Sequence, residues 1–147
     1  MGEREVLMQH VVPEVISIAE ACLGSLHGRS ALLIGSEEQL RPYALLLQRA
    51  GMKRIYQEET PRHVSSILPH VQLLMHLPLS STPACPISLI TAASVAQGCI
   101  GRRTPLLIFD LAVSTSVEEL AGLLPAVCLY TPDDLRRILS RTKVQIS

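Results

Sequence analysis

The sequence predicts an α/β fold, a doubly wound and mainly parallel sheet with helices on both faces. Three observations predict it. Short apolar runs alternate with amphipathic helical segments along most of the chain, the pattern that successive β–α–β units leave. Ala31-Leu-Leu-Ile34 runs into Gly35 and then into a helical pattern, so a strand, a glycine turn and a helix follow one another directly. Thr104-Pro-Leu-Leu-Ile-Phe-Asp110 reads as a strand buried on both faces that ends in an acid.

Each element has its own warrant. Val12, Val15, Ile16, Ala19, Leu23 and Leu26 recur at helical spacing between Val11 and Leu26. Pro13 and Glu14 suit the first turn of that helix, and Gly24 and Gly28 suit its stop. Ala31–Ile34 is the first strand. Glu38 to Ala50 carries Leu40, Tyr43, Ala44, Leu46 and Leu47 ahead of Gly51, a helix with a glycine stop. Lys53–Tyr56 is the second strand. Thr60-Pro61 reads as an N-cap with proline at the first helical position, opening a helix to about Leu68. Val71–Leu77 is the third strand, and the proline- and serine-rich stretch Pro78–Pro86 is a loop. Ile87–Ala96 forms a helix, Pro105–Leu111 the fourth strand, and Ser116-Val-Glu-Glu-Leu120 a short capped helix. Val127–Tyr130 is the last strand, and Thr131-Pro-Asp-Asp-Leu135 opens the last helix. The expected organisation is a lead helix over residues 1–28, the sheet domain over 29–140, and a frayed tail over 141–147.

Composition narrows the function. The 147 residues hold 48% hydrophobic and 18% charged side chains, and thirteen basic residues balance thirteen acidic ones. No clustered Lys and Arg signal nucleic-acid binding. No apolar run approaches the roughly 18 residues of a membrane span. The first residues lack the basic patch and apolar core of a signal peptide, so a cytoplasmic chain is expected. Cys22, Cys85, Cys99 and Cys128 form no CxxC pair, and with His10, His27, His63, His70 and His76 they give no metal spacing. Cys22 and Cys128 lie in apolar segments and are expected to be small buried hydrophobes.

The strand–glycine–helix run is where a dinucleotide fold would hold pyrophosphate. Its fingerprint, G-x-G-x-x-G, uses one glycine for the tight turn, one for close phosphate approach and one for helix packing. Here the run is Gly35-Ser-Glu-Glu-Gln-Leu40, which keeps only the first. Glu37 puts a negative side chain where the phosphate would lie, although the helix N-terminus still favours anions. Glu58 and Glu59 end the second strand, where an acid usually engages a ribose hydroxyl, and Arg62 and His63 lie close by. Asp110, at the carboxyl end of its strand, is either a site residue or the acceptor that stabilises the following turn. Asp133 and Asp134 are read as helix-capping acids rather than a catalytic pair.

Taken together, the turn Gly24-Ser-Leu-His-Gly28, Ser30–Gly35, Gly51-Met-Lys-Arg-Ile55 and the segments Thr104–Val113 and Ala126–Leu135 resemble the NADP-binding domain of glutamyl-tRNA reductase over most of residues 11 to 135. That family has Asn-Arg-Thr where this chain has Glu58-Glu59-Thr60, so Thr60 matches and the arginine that helps hold the 2′-phosphate is lost. It continues Ala-Val-Pro-Arg-Asp after its strand acid, where this chain has Ala112-Val113-Ser114-Thr115-Ser116. Its serine-rich turn near the nicotinamide is poorly matched by Ser80-Ser-Thr82.

The resemblance implies a Rossmann-like fold, NADP as cofactor, and hydride delivery for reducing glutamyl-tRNA to glutamate semialdehyde in tetrapyrrole (porphyrin) biosynthesis. It implies cofactor-binding roles for Gly35, Ser36, Glu37, Thr60, Asp110, Ala112 and Val113, and assigns no catalytic residue and no metal ligand. The family nucleophile is a cysteine of a separate domain that none of the four cysteines matches, so the chain alone should not catalyse the full reaction. Its expected partners are the family's catalytic and dimerisation domains, a tetrapyrrole-pathway protein or further copies of itself. Neither nucleic acid nor membrane is an expected partner. The alternative is a non-catalytic Rossmann-like binding or assembly module that has lost its dinucleotide. A third reading, an NAD-using oxidoreductase, rests on Glu58 and Glu59 alone.

Overall fold

A computed structural model of the chain describes residues 12–78 and 89–146, with side chains as far as Ser140. The elements in order are α1 (Val12–Leu23), β1 (Ser30–Ile34), α2 (Glu37–Arg49), β2 (Arg54–Glu58), α3 (Val64–Ile67), β3 (Leu73–His76), α4 (Ala92–Gly98), β4 (Leu106–Asp110), β5 (Val127–Tyr130) and α5 (Pro132–Ile146). Three 3₁₀ turns, Pro61–His63, Leu68–His70 and Glu119–Leu123, complete the set.

The five strands form one sheet in the order β2-β1-β3-β4-β5, and every neighbouring pair is parallel. The predicted doubly wound architecture is therefore present, and the direction of winding reverses between β1 and β3. Central strands β1, β3 and β4 are covered on both sides, which is why their sequences read as continuous apolar runs. Their side chains alternate between two cores. Ala31, Leu33, Leu73, Met75, Leu107 and Phe109 face one side, against Val15, Ala19, Leu40, Tyr43 and Leu135 from α1, α2 and α5. Leu32, Ile34, Leu74, Leu106 and Ile108 face the other, against Val64, Leu68, Val95 and Ala121. Each large side chain so buried stabilises the fold by about 1.5–3 kcal/mol relative to exposure. The lead helix thus belongs to the core of the sheet domain itself.

Several boundaries depart from the sequence reading. β2 runs to Glu58, beyond the expected Tyr56, because Gln57 and Glu58 stay in register with Leu33 and Ile34 of β1 and an edge strand tolerates such partly exposed polar residues. β3 is confined to Leu73–His76. The helix expected from Thr60 is broken into 3₁₀, α and 3₁₀ pieces, with Pro69 in the last; Thr60 makes no capping bond through its side chain. α4 starts at Ala92, capped by Thr91, because Ile90 bridges to Val117 instead of entering a helix. Gly98 in α4 lets Leu68 approach so closely that an added Cβ would lie 2.8 Å from the Leu68 Cβ. The short helix expected from Ser116 is a 3₁₀ turn over Glu119–Leu123, because Ser116 is drawn inward by Asp110. α2 contains Pro42, which removes the backbone donor to the Glu38 carbonyl. α5 is helical as far as Ile146, through residues expected to fray. Residues 79–88, with Ser80–Thr82 and Cys85, where a loop is expected, lie outside the described residues, as does His10. No helix among the described residues is long and apolar enough to cross a membrane.

Candidate functional site

In open α/β sheets ligands settle beyond the carboxyl ends of the strands, where the winding reverses. Here that crevice lies between the exits of β1 and β3. Gly35 makes the turn out of β1, and a Cβ there would sit 2.5 Å from the Leu77 carbonyl oxygen, so only glycine lets the β1 and β3 exits pack this closely. The Gly35 N–H donates to the Glu58 carbonyl at 2.9 Å, and the Leu77 N–H donates to the Ile34 carbonyl at 2.7 Å. The ends of β1, β2 and β3 are thereby locked together.

Ser36 follows as the N-cap of α2, its hydroxyl accepting from the Gln39 N–H at 3.2 Å. Glu37 and Glu38 fill the first turn with exposed carboxylates, which suit the positive end of the helix dipole. At the end of β2, Glu58 Oε1 lies 3.0 Å from His63 Nδ1, and Thr60 and the exposed Arg62 stand on the same bend.

At the end of β4 the geometry is closed. Asp110 is fully buried, and its carboxylate accepts from the backbone N–H groups of Ala112 (3.2 Å), Ser116 (2.7 Å) and Val117 (2.9 Å) and from the Ser116 hydroxyl (2.7 Å). Ser116 Oγ lies 2.8 Å from Nδ1 of the buried His76, the register partner of Asp110 on β3. The one hydroxyl proton goes to Asp110, so His76 Nδ1 must be the donor to Ser116, which fixes the neutral tautomer. Burial pushes the imidazole down to about 4, and the facing Asp110 carboxylate offsets only part of that. Serine here has no free proton acceptor on its histidine, so the trio is no nucleophilic triad. It holds the 110–117 loop in shape. Glu118 continues the work by accepting from the Ala92 N–H at 2.8 Å.

Of the seven residues expected at a cofactor, Gly35, Ser36 and Glu37 follow β1 and Thr60 follows β2, two strand exits tied together by the Gly35 N–H to Glu58 carbonyl bond. Asp110, Ala112 and Val113 line up beyond β4. Asp110 takes the turn-acceptor role, Ala112 is buried, and Val113 is half-exposed with its carbonyl accepting from Arg136 at 3.1 Å. The sequence reading missed His76 and Ser116. Their partnership spans 40 residues, and only the β3–β4 register reveals it. Cys22 and Cys128 are exposed rather than buried: Cys22 lies near the end of α1, its thiol 3.1 Å from the Tyr130 hydroxyl, and Cys128 lies on edge strand β5. Among the described residues no group of three acidic, cysteine or histidine side chains could hold a metal. A shallow groove between α1 and α5, lined by Pro13, Ile18, Ala21 and Leu139, shares no residue with the strand-end crevice.

The five-stranded parallel sheet with helices on both faces defines a Rossmann-like fold. No family model matches the chain. It is 32% identical to a glutamyl-tRNA reductase of Methanospirillum hungatei, across 84% of this chain and 34% of the relative. A glutamyl-tRNA reductase of Xylella fastidiosa is 27% identical across 90% of this chain and 34% of its own length. The chain thus spans about a third of the curated relatives it matches. Among solved structures, glutamyl-tRNA reductase from Methanopyrus kandleri superposes with a TM-score of 0.69 at 22% identity, over 95% of this chain and 39% of that one. A dipicolinate synthase chain from Bacillus halodurans gives 0.65 at 13% identity, over 99% of this chain and 56% of that one. The chain is a divergent relative of one Rossmann-like segment of glutamyl-tRNA reductase.

Proposed function

We propose that this domain binds a nicotinamide dinucleotide in the crevice between β1 and β3 and serves as the hydride-delivering part of a reductase of the glutamyl-tRNA reductase type. The observation that carries the reading is the Gly35 turn. A glycine required by the Leu77 carbonyl stands at the winding reversal, ahead of a helix N-terminus, with an acid at the end of β2. The residues fit the cofactor at the turn and at the ribose edge. They oppose it at the phosphates, where Glu37 and Glu38 stand. Bound there, the nicotinamide would supply the hydride. The chain's own contribution is to seat it: Gly35 makes the turn without a side chain, the N-terminus of α2 follows directly behind it, and the Asp110–Ser116–His76 network fixes the loop through Ala112 and Val113. Ester cleavage and recognition of a glutamyl-tRNA would fall to other domains or another chain, and tetrapyrrole synthesis would be the setting.

Calorimetric titration of the chain with NADH and NADPH tests this. Micromolar binding of either supports it, and no binding of both contradicts it. A second reading, a binding or assembly module without a dinucleotide, is favoured by the two carboxylates of the α2 first turn. A solvated charge pair at close range is worth about 1 kcal/mol. Glu37→Gln should therefore tighten dinucleotide binding by about fivefold. An unchanged affinity would mean that Glu37 does not face the phosphates.

A further inference from the structure

We propose that Cys22 and Cys128 form a peroxide-sensitive thiol pair, which oxidation joins as a disulfide clasping the end of α1 to edge strand β5. Both thiols are free and both residues are exposed, so hydrogen peroxide reaches them without entering the fold. Cys22 is the penultimate residue of α1, two positions ahead of the left-handed Gly24 at φ +82°. Cys128 lies on β5 two residues before Tyr130, so the two side chains leave the strand on one face. Tyr130 packs into the core that α1 covers, whereas Val127 and Leu129 pack into the other. Cys128 therefore stands on the same side of the sheet as Cys22. Cys99 packs against the opposite core.

Tyr130 links the two sulfurs. Its hydroxyl lies 3.1 Å from Cys22 Sγ. The hydrogen bond to Cys22, then burial, then the neighbouring Cys22, Cys128 and Asp134 push the phenol up to about 12. It keeps its proton at neutral pH and can donate to the Cys22 sulfur as a thiolate forms. The Cys128 thiol is pushed up, first by burial and then by Cys22 and Asp134, so it lies within electrostatic reach of Cys22 and holds its own proton more tightly. That asymmetry makes Cys22 the attacking sulfur and Cys128 the resolving one. The Cys22 thiolate attacks one oxygen of hydrogen peroxide; the O–O bond breaks, and the departing hydroxide takes up the thiol proton and leaves as water. Cys128 then attacks the sulfenic sulfur, the S–O bond breaks, the S–S bond forms and a second water leaves. Together the two sulfurs lose two electrons, and the peroxide oxygens gain them.

The test treats the reduced full chain with hydrogen peroxide and maps its thiols by mass spectrometry without reduction. Wild type should lose two hydrogens, link the peptides holding Cys22 and Cys128, keep Cys85 and Cys99 free, and revert with dithiothreitol. Closing a loop of about 100 residues should raise the melting temperature by on the order of 10 °C. Cys128→Ser should stop at a sulfenic acid on Cys22 that dimedone traps, and Tyr130→Phe should slow the oxidation severalfold. The peptide map is read on wild type, so a folding defect in either variant does not touch it. A link to Cys85 or Cys99, a link between chains, or passage of Cys22 to sulfinic acid without a link would overturn the inference. So would an unchanged melting temperature in the linked form, since α1 and β5 would then not be clasped.

Discussion

His76 concentrates the chemistry of this chain in one side chain. It is buried, neutral, and donates through Ser116 to a carboxylate that gathers three backbone N–H groups. In the unfolded chain an ordinary histidine titrates near 6.5; in the fold it titrates at about 4. Between those values the unfolded state binds more protons, so the stability this residue confers is complete above pH 6.5 and is lost as pH falls toward 4. The difference amounts to about 3 kcal/mol. Denaturant titrations at pH 7.5, 6, 5 and 4 should show that loss in wild type, and His76→Asn should flatten the limb below pH 6.5. Equal slopes in both proteins would place the acid sensitivity elsewhere.

Secondary-structure elements were legible where their signals are local. β1, β4 and β5 could be read from short apolar runs, and α5 from Thr131-Pro-Asp-Asp. Thr131 Oγ1 accepts from the Asp134 N–H and Asp134 Oδ2 accepts from the Thr131 N–H, each at 3.1 Å, a reciprocal cap. Thr131→Ala should therefore cost about 1 kcal/mol, measured by chemical denaturation, with a shift below a few tenths arguing that packing alone starts the helix. Legibility failed where a partner lay far along the chain. Ser116 looked like a helix cap because Asp110 and His76 could not be seen beside it. The apolar pattern of β2 stops at Tyr56, and the pairing that carries the strand on to Glu58 is not written in Gln57 or Glu58. Cys22 and Cys128 looked buried because apolar neighbours in sequence do not say which side of α1, or which edge of the sheet, a residue occupies. The candidate site was half legible: Gly35 and Asp110 were found from motif and position, but the closed role of Asp110 and the His63 anchor of Glu58 are properties of the folded edge.

At the scale of the molecule, one sheet carries two cores and presents its strand exits as a single crevice edge, bounded by acids from α2 and β2. The chain covers about a third of the glutamyl-tRNA reductases it matches, and the rest of those enzymes has no counterpart in these residues. What this domain contributes depends on whether a dinucleotide sits at that edge. The most direct measurement is a backbone amide NMR titration of the ¹⁵N-labelled chain with NADH. The account predicts saturable shifts at Gly35, Ser36, Glu37, Glu58, Ala112 and Val113, with α1 and α5 unaffected. Shifts confined to the groove between Pro13 and Leu139, or none at all, would contradict it.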